Sequence, residues 1–335
     1  MKTMKAIVKK HSEVGIWMDE VPVPTIKDNE VLVKILKTSI CGTDLHIYKW
    51  DAWARKNVPV PLVIGHEFVG VIEKIGSRVT QYKVGERVTA EGHLVCGVCE
   101  PCLEGKKHLC PKTKGIGYHA PGVFAEYAAI PEENVFRLPK DISDEEAAIF
   151  DPYGNTTHTV LSFPLTSEDV LITGAGPIGC MAAAIARFGG ARKVVVTDVN
   201  PYRLELAKKM GATEVVNVKE QQLQGSFGLG FEMAGSPEAL NQMLRHVKHG
   251  GKIALLGILP PGTLIDWDLV IFKMLEIKGI YGREIFRTWH QMCRMIEGGL
   301  KIAPVITHRF KADDFQKGFD IMLSGQSGKV ILDWT

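Results

Sequence analysis

No apolar run in this sequence is long enough to read as a membrane span. The longest, Val170 to Ala186, is interrupted by three glycines and a proline, a composition that suits a strand, a turn and a helix. A surplus of either charge is also missing: 40 basic side chains face 38 acidic ones, and no block of like charge supplies the footprint that nucleic acid requires. The opening MKTMKAIVKKHSEVGIW lacks an apolar stretch of secretory-signal length, since charge returns at Lys9 and Lys10; the expectation is a chain that stays in the cytoplasm. No internal repeat or low-complexity segment is present. Without an export signal, the seven cysteines argue against a disulfide framework and for metal binding or reduced thiols. What remains is small-molecule chemistry in a globular chain of 335 residues, 45% hydrophobic, enough for a sizeable core divided between two domains.

The two halves differ in character. Up to about Phe150, short β-rich runs such as Val31 to Leu36, Phe68 to Ile75 and Glu86 to Ala90 are separated by Gly, Pro and Asn, as in a compact β-rich or barrel-like domain. Beyond Asp151 strands and helices alternate, the pattern of an α/β parallel sheet. Val170 to Thr173 reads as a strand, Pro177 to Phe188 as a helix stopped by Gly189 and Gly190, and Lys193 to Thr197 as the next strand. Asn200 with Pro201, and Ser236 with Pro237, read as helix starts, and Gly211 as a C-terminal cap. Strands at Lys252 to Leu256 and Glu276 to Tyr281 complete the sheet. One joint fits poorly: only eight residues separate Val218 from Phe227, whereas a parallel crossover needs a dozen or more. Either the crossover helix is missing there or the sheet is irregular.

In CGVCEPCLEGKKHLC the thiols of Cys96, Cys99, Cys102 and Cys110 are spaced so that one loop can wrap them tetrahedrally around an ion. Zinc is the natural occupant, and four sulfur ligands leave no open position, so the site is structural. Free or sensor thiols and an iron–sulfur cluster are the alternatives. Directly after a strand, GAGPIG sets Gly174, Gly176 and Gly179 at the three glycine positions of a dinucleotide-binding turn, whose helix N-terminus can receive a pyrophosphate. Asp198, ending the next strand, is placed to accept from the adenosine ribose hydroxyls, which favours NAD over NADP, although Arg203 lies close enough to keep a 2′-phosphate in view. A tight turn that binds nothing is the alternative. Cys41, His66, Glu67 and Asp151 are zinc-ligand types too scattered for spacing to unite them. A buried packing cysteine and a surface His–Glu pair are the alternative reading.

The segment GHEFVGVIEKIGSRV, with Gly65, His66, Glu67, Gly70 and Gly76, resembles the signature of the zinc-containing medium-chain alcohol dehydrogenases, and CGTDLHIY resembles that family's first ligand loop. With the four-cysteine lobe and GAGPIG, the likeness runs in order over nearly the whole chain. Further stretches, CGTDLHIYKWDAWA, EGHLVCGVC, FDPYGNTTHT, KGIYGRE and DFQKGFDIMLSGQSGKVIL, resemble the members that oxidise the β-hydroxyl of L-threonine. The resemblance implies a GroES-like zinc-binding catalytic domain from residues 1–150 and 286–335, and a Rossmann NAD-binding domain from 151–285. It also implies two zinc ions per subunit, one catalytic on Cys41, His66 and Glu67 and one structural. Thr43 and His46 would form a proton relay, with Asp151 near the metal, assisting the relay or visiting the coordination shell. Coenzyme contacts carried over are Ile178, Asp198, Arg203, Leu256, Gly257, Ile258, Ile280 and Tyr281. His93, in EGH, either lines the substrate pocket or is structural. The family is commonly tetrameric. A zinc-dependent sorbitol or 2,3-butanediol dehydrogenase, and an NAD-binding relative without catalysis, are the rival readings. The shortened connection before Phe227 departs from the family's pattern.

Overall fold

The computed structural model describes residues 2–335, and its contacts group into two compact units. The first takes in the chain up to Asp151, then Ile306–Ser324 and Lys329–Thr335; the second holds Pro152–Val305 and Gly325–Gly328. The return to the first unit thus comes at Ile306, later than the 286 read from the sequence. The physical reason lies in the helix Arg287–Glu297, whose Trp289 and Met292 are buried and whose Met292 carbonyl accepts from the buried Tyr153 hydroxyl of the second unit.

The first unit is β-rich. A seven-stranded sheet runs in the order 135–137, 87–90, 68–75, 30–39, 329–333, 306–311, with Tyr127–Pro131 also paired to Glu30–Ser39. A smaller sheet joins Thr3–Lys9 to Trp17–Pro22 and Leu62–Val63. Along Glu30–Ser39 the alternate residues Val31, Val33 and Ile35 are buried with Phe68, Ile72 and Phe124, the period-2 pattern of a strand packed on a core. The pairing of Ile331 with Ser39 and the bond from Ile40 N to Val330 O (3.0 Å) carry the C-terminal strand back beside residues 38–41.

The second unit is a six-stranded parallel sheet in the order 214–217, 193–198, 169–173, 227–232, 247–255, 276–279. Numbered along the sheet's own sequence this is 3-2-1-4-5-6, which reverses direction between Asp169–Thr173 and Phe227–Glu232, so that the carboxyl ends of these strands form a crevice. The helices Pro177–Phe188, Pro201–Lys209 and Pro237–His246 each begin with proline, whose missing N–H costs nothing in the first turn. Asn200 accepts from the amides of Tyr202 and Arg203, and Ser236 from that of Ala239. Leu171, Val195, Phe227, Met243 and Ile253 form the core.

The short joint is resolved plainly. Residues 218–226 carry no helix, and the chain crosses the ends of two strands as a loop pinned by Leu223, which is buried among Val216, Phe227 and Leu240. The sheet is also irregular there, with a register shift between Phe227 and Leu229. The strand expected from Lys252 starts at Val247, and the one from Glu276 ends at Gly279. Among the described residues, no helix is long and apolar enough to cross a membrane.

Candidate active site, metal centres and coenzyme site

In the first unit, Cys41 is the N-cap of the helix Gly42–Lys49, with its own amide donating to Asp44 Oδ2 at 2.8 Å. His66 and Glu67 precede the strand Phe68–Ile75, and Ser39 N donates to Glu67 O at 3.0 Å. The turn into them needs Gly65: its φ is +87°, and a Cβ there would lie 2.0 Å from the Phe124 ring. Strand pairing and this turn bring the Cys41 sulfur, a His66 nitrogen and a Glu67 oxygen within 4.8 Å of one another. His66 Nδ1 and Glu67 Oε1 are buried and have no hydrogen-bond partner, an arrangement that is costly unless a ligand engages it. A soft thiolate, an imidazole and a carboxylate are three ligands of the kind a catalytic zinc takes, leaving a fourth position open. The residues therefore fit the ion.

The surroundings of this trio are equally specific. Lys329, itself buried, donates from Nζ to Glu67 Oε2 at 2.6 Å and to Ile40 O at 2.7 Å. Asp44 is fully buried, with Oδ1 at 3.9 Å from His66 Nδ1. Burial pushes the Asp44 carboxyl up to about 6, against the pull of His66. Burial works the other way on His66, but the neighbouring Cys41, Asp44 and Asp151 hold it up at about 10. Asp151, in the first turn of Phe150–Val160, thus acts on this centre through its charge. Thr43 Oγ1 lies 3.8 Å from Cys41 Sγ. His46, exposed, places Nδ1 at 2.5 Å from Asp51 Oδ2. His93 Nδ1 lies 3.0 Å from the buried Glu91 carboxylate, whose Oε1 also accepts the His93 amide.

The sulfurs of the cysteine lobe stand at 3.4 Å (Cys99–Cys102), 3.8 Å (Cys99–Cys110) and 3.6 Å (Cys96–Cys110). All four cysteines are free of disulfides. Tetrahedral zinc with bonds of about 2.3 Å separates its sulfurs by roughly 3.8 Å, so this lobe fits zinc too. The amides of Val98 and Cys99 aimed at Cys96 bring its thiol down to about 6. Cys99, despite the Cys102 amide, is pushed up to about 12 by burial and the crowding sulfurs, a conflict that a divalent cation removes.

In the second unit the three glycines have three different reasons to be glycine. Gly174 has φ +91° and would press a Cβ to 2.8 Å from Ala234 N, while a Cβ on Gly179 would lie 1.8 Å from Gly174 O. Nothing lies within 4 Å of a Cβ on Gly176, the helix N-cap, which leaves its backbone open to a ligand. Asp198 Oδ2 accepts from Ala175 N at 2.7 Å, and Oδ1 from the amides of Val199 and Asn200 at 2.7 and 2.9 Å. A cavity of about 910 Å³ opens beside them, lined by Gly174, Asp198, Lys219, Gln222 and Gln242 among others. Ile178 lies in the first turn of Pro177–Phe188. Arg203 does not line the cavity; a Cβ on Gly325 would come 3.8 Å from its Nη2. Leu256, Gly257 and Ile258 follow the strand Val247–Leu255, and Ile280 and Tyr281 follow Glu276–Gly279, at the same carboxyl edge but outside this cavity.

Four neighbours of these groups escaped the sequence reading: Asp44, Lys329, Asp51 and Glu232. Asp44 had a signal, an acid three residues after a helix N-cap. Glu232, at the end of its strand, is fully buried; burial raises its carboxyl although the amides of Ala234 and Gly235 donate to it. Lys329, 262 residues from its partner, had no signal.

Residues 27–140 match the alcohol dehydrogenase GroES-like domain, and residues 177–298 the zinc-binding dehydrogenase domain. The chain belongs to the zinc-containing medium-chain alcohol dehydrogenases, with a GroES-like domain and a Rossmann-type parallel sheet. It is 61% identical to the L-threonine 3-dehydrogenase of Protochlamydia amoebophila, over 99% of this chain and 100% of that one. To the L-threonine 3-dehydrogenase of Aeromonas hydrophila it is 58% identical, over 99% of each. Among solved structures, a putative zinc-binding dehydrogenase from Sinorhizobium meliloti bound to NADP superimposes with a TM-score of 0.91 at 28% identity, covering 99% of this chain and 100% of that one. A 2R,3R-butanediol dehydrogenase from Bacillus subtilis gives 0.90 at 25% identity, over 99% and 100%.

Proposed function

We propose that this chain is a zinc-dependent, NAD-linked dehydrogenase that oxidises the β-hydroxyl of L-threonine, giving L-2-amino-3-oxobutanoate, NADH and a proton. The observation that carries the chemistry is the convergence of Cys41, His66 and Glu67 with two buried polar atoms left without partners. The full-length identity to threonine dehydrogenases carries the substrate. It stands far above the likeness to the butanediol enzyme, so the polyol reading takes second place.

Cys41, His66 and Glu67 would hold a zinc ion, which would supply Lewis acidity toward the substrate hydroxyl. Thr43 is close enough to Cys41 to take the hydroxyl proton on Oγ1 while passing its own onward. His46, with its ring exposed, is the group that hands that proton to solvent. Asp151 assists by its charge on the centre. Leu256–Ile258, Ile280 and Tyr281 would hold the nicotinamide end of NAD, which would supply the hydride acceptor. Gly174, Gly176, Ile178 and Gly179 take the pyrophosphate, Asp198 the adenosine ribose, and Arg203 supports that end from outside the cavity. Cys96, Cys99, Cys102 and Cys110 hold a structural zinc, and His93 on Glu91 is assigned to the substrate pocket. The first unit is then the catalytic domain and the second the coenzyme domain. We read the enzyme as cytoplasmic, because a lobe of four metal-holding cysteines without a disulfide suits a reducing compartment. We also read it as a homotetramer. The strand Glu276–Gly279 is paired on one side only, and Trp267, Ile271, Phe272 and Met274 near it are exposed, a face that suits a second copy.

The test is a panel of L-threonine, sorbitol and 2,3-butanediol with NAD and NADP, before and after chelation, with zinc counted in Cys41→Ser protein. Turnover of L-threonine with NAD, lost on chelation, and one zinc retained in the variant are expected. Retention of both ions, or preference for a polyol, would overturn the assignment.

A further inference from the structure

We propose that Asp51 is a positioning residue for the proton relay: its carboxylate fixes His46 with Nδ1 as the donor, so that Nε2 is the nitrogen that receives the proton. This rests on the relay assigned to Thr43 and His46.

A neutral imidazole has one donor and one acceptor nitrogen, and the partner of one decides the role of the other. Here that partner is Asp51 Oδ2, 2.5 Å from Nδ1. An exposed ion pair usually contributes little; this one differs because its carboxylate cannot wander. Asp51 is the N-cap of the helix Ala52–Asn57, and its other oxygen, Oδ1, accepts from Ala54 N at 3.0 Å. The break between the two helices is fixed as well. Trp50 takes the left-handed conformation at φ 50°, its carbonyl accepts from Arg55 Nε at 2.8 Å, and its ring lies 4.6 Å from the ammonium of the buried Lys9. The Trp53 ring also stands near the imidazole, with centroids 6.0 Å apart. The other charged groups on the two helices are Asp44, Lys49, Arg55 and Lys56. His46 is therefore held by a carboxylate clamped from the neighbouring helix.

The step balances simply. Thr43 Oγ1 accepts the substrate proton and gives its own to His46 Nε2; the imidazolium, stabilised by Asp51, then loses a proton to water. Asp51 never carries it.

Asp51→Asn tests the assignment, because asparagine caps a helix as well as aspartate does but brings no charge. At saturating L-threonine and NAD, kcat at neutral pH is expected to fall ~10-fold, with the acid limb of its pH profile displaced toward lower pH, while KM for L-threonine stays within about 2-fold. If the melting temperature drops, Asp51→Ser, another capping residue, must reproduce the same profile. Unchanged kcat and pH profile would overturn the proposal. His46→Gln separates the two levels: lowered kcat there with a silent Asp51→Asn sinks only the role of Asp51, whereas a silent His46→Gln sinks the relay and this proposal together.

Discussion

Replacing Lys329 with methionine keeps a long apolar stem and removes only the ammonium. In the native protein that ammonium lies between Glu67 Oε2 and Ile40 O at 2.6 and 2.7 Å, with both side chains of the pair nearly sealed from water at 3% and 0% exposure. Removing one partner of a buried ion pair costs ~3–5 kcal/mol, because the other charge is left without compensation. In a unit of 150–250 residues each kcal/mol lowers the melting temperature by ~2–4 °C, which places the Lys329→Met deficit at roughly 6–20 °C. Differential scanning calorimetry of matched chelator-treated samples, in which no zinc shares the Glu67 charge, measures it, and the double variant Lys329→Met with Glu67→Gln identifies its source. Neutralising Glu67 removes the stranded charge and leaves only the Ile40 carbonyl unsatisfied, ~1–3 kcal/mol, so at least half of the loss is expected to return. A deficit below about 2 °C in the single variant, or an undiminished one in the double, would refute the reasoning.

Gly179→Ala drives a methyl group to 1.8 Å from Gly174 O, and an overpacked backbone contact costs ~1–3 kcal/mol; NADH titration by fluorescence should show affinity reduced at least ~10-fold, and unaltered affinity would contradict the close approach. Asp333 faces Lys311, Lys37 and the Thr335 hydroxyl and amide, which together outweigh burial and hold its carboxyl down at about 2. Because that value lies below the unfolded one of about 3.9, its contribution of about 2 kcal/mol is present above about pH 4 and fades as pH falls toward 2. In Asp333→Asn that part of the acid limb should be missing from melts taken between pH 5 and 3, and an unchanged limb would count against it.

Features set by neighbours in sequence were legible before the structure. The helix Pro177–Phe188 and the strand Phe68–Ile75 fall where periodicity put them, and Asn200 and Ser236 cap the helices they were read to start. The glycine turn and the cysteine lobe are equally local, each packed into a few consecutive residues. What joins Cys41 to His66 and Glu67 is strand pairing, which spacing does not encode; only the family resemblance linked them. Lys329 was beyond reach for the same reason, since a lysine in a C-terminal strand looks like any surface charge until Ile331 pairs with Ser39. The helix Arg287–Glu297 groups with the second compact unit, which its apolar stripe, Trp289 and Met292, could not reveal, because a stripe says that a face is buried and not against what.

The helix-free connection 218–226 bears on how the chain finds its fold. Passing from one edge strand over two others requires about 14 Å at the usual strand spacing, well within the reach of nine extended residues, so a helix at this joint serves as a lid and is not needed as a bridge. A single leucine performs that duty, keeping water off the end of the sheet. Because each doubling of a loop's length adds only ~0.6 kcal/mol of closure entropy, this joint could be lengthened at little thermodynamic penalty so long as Leu223 keeps its place in the core.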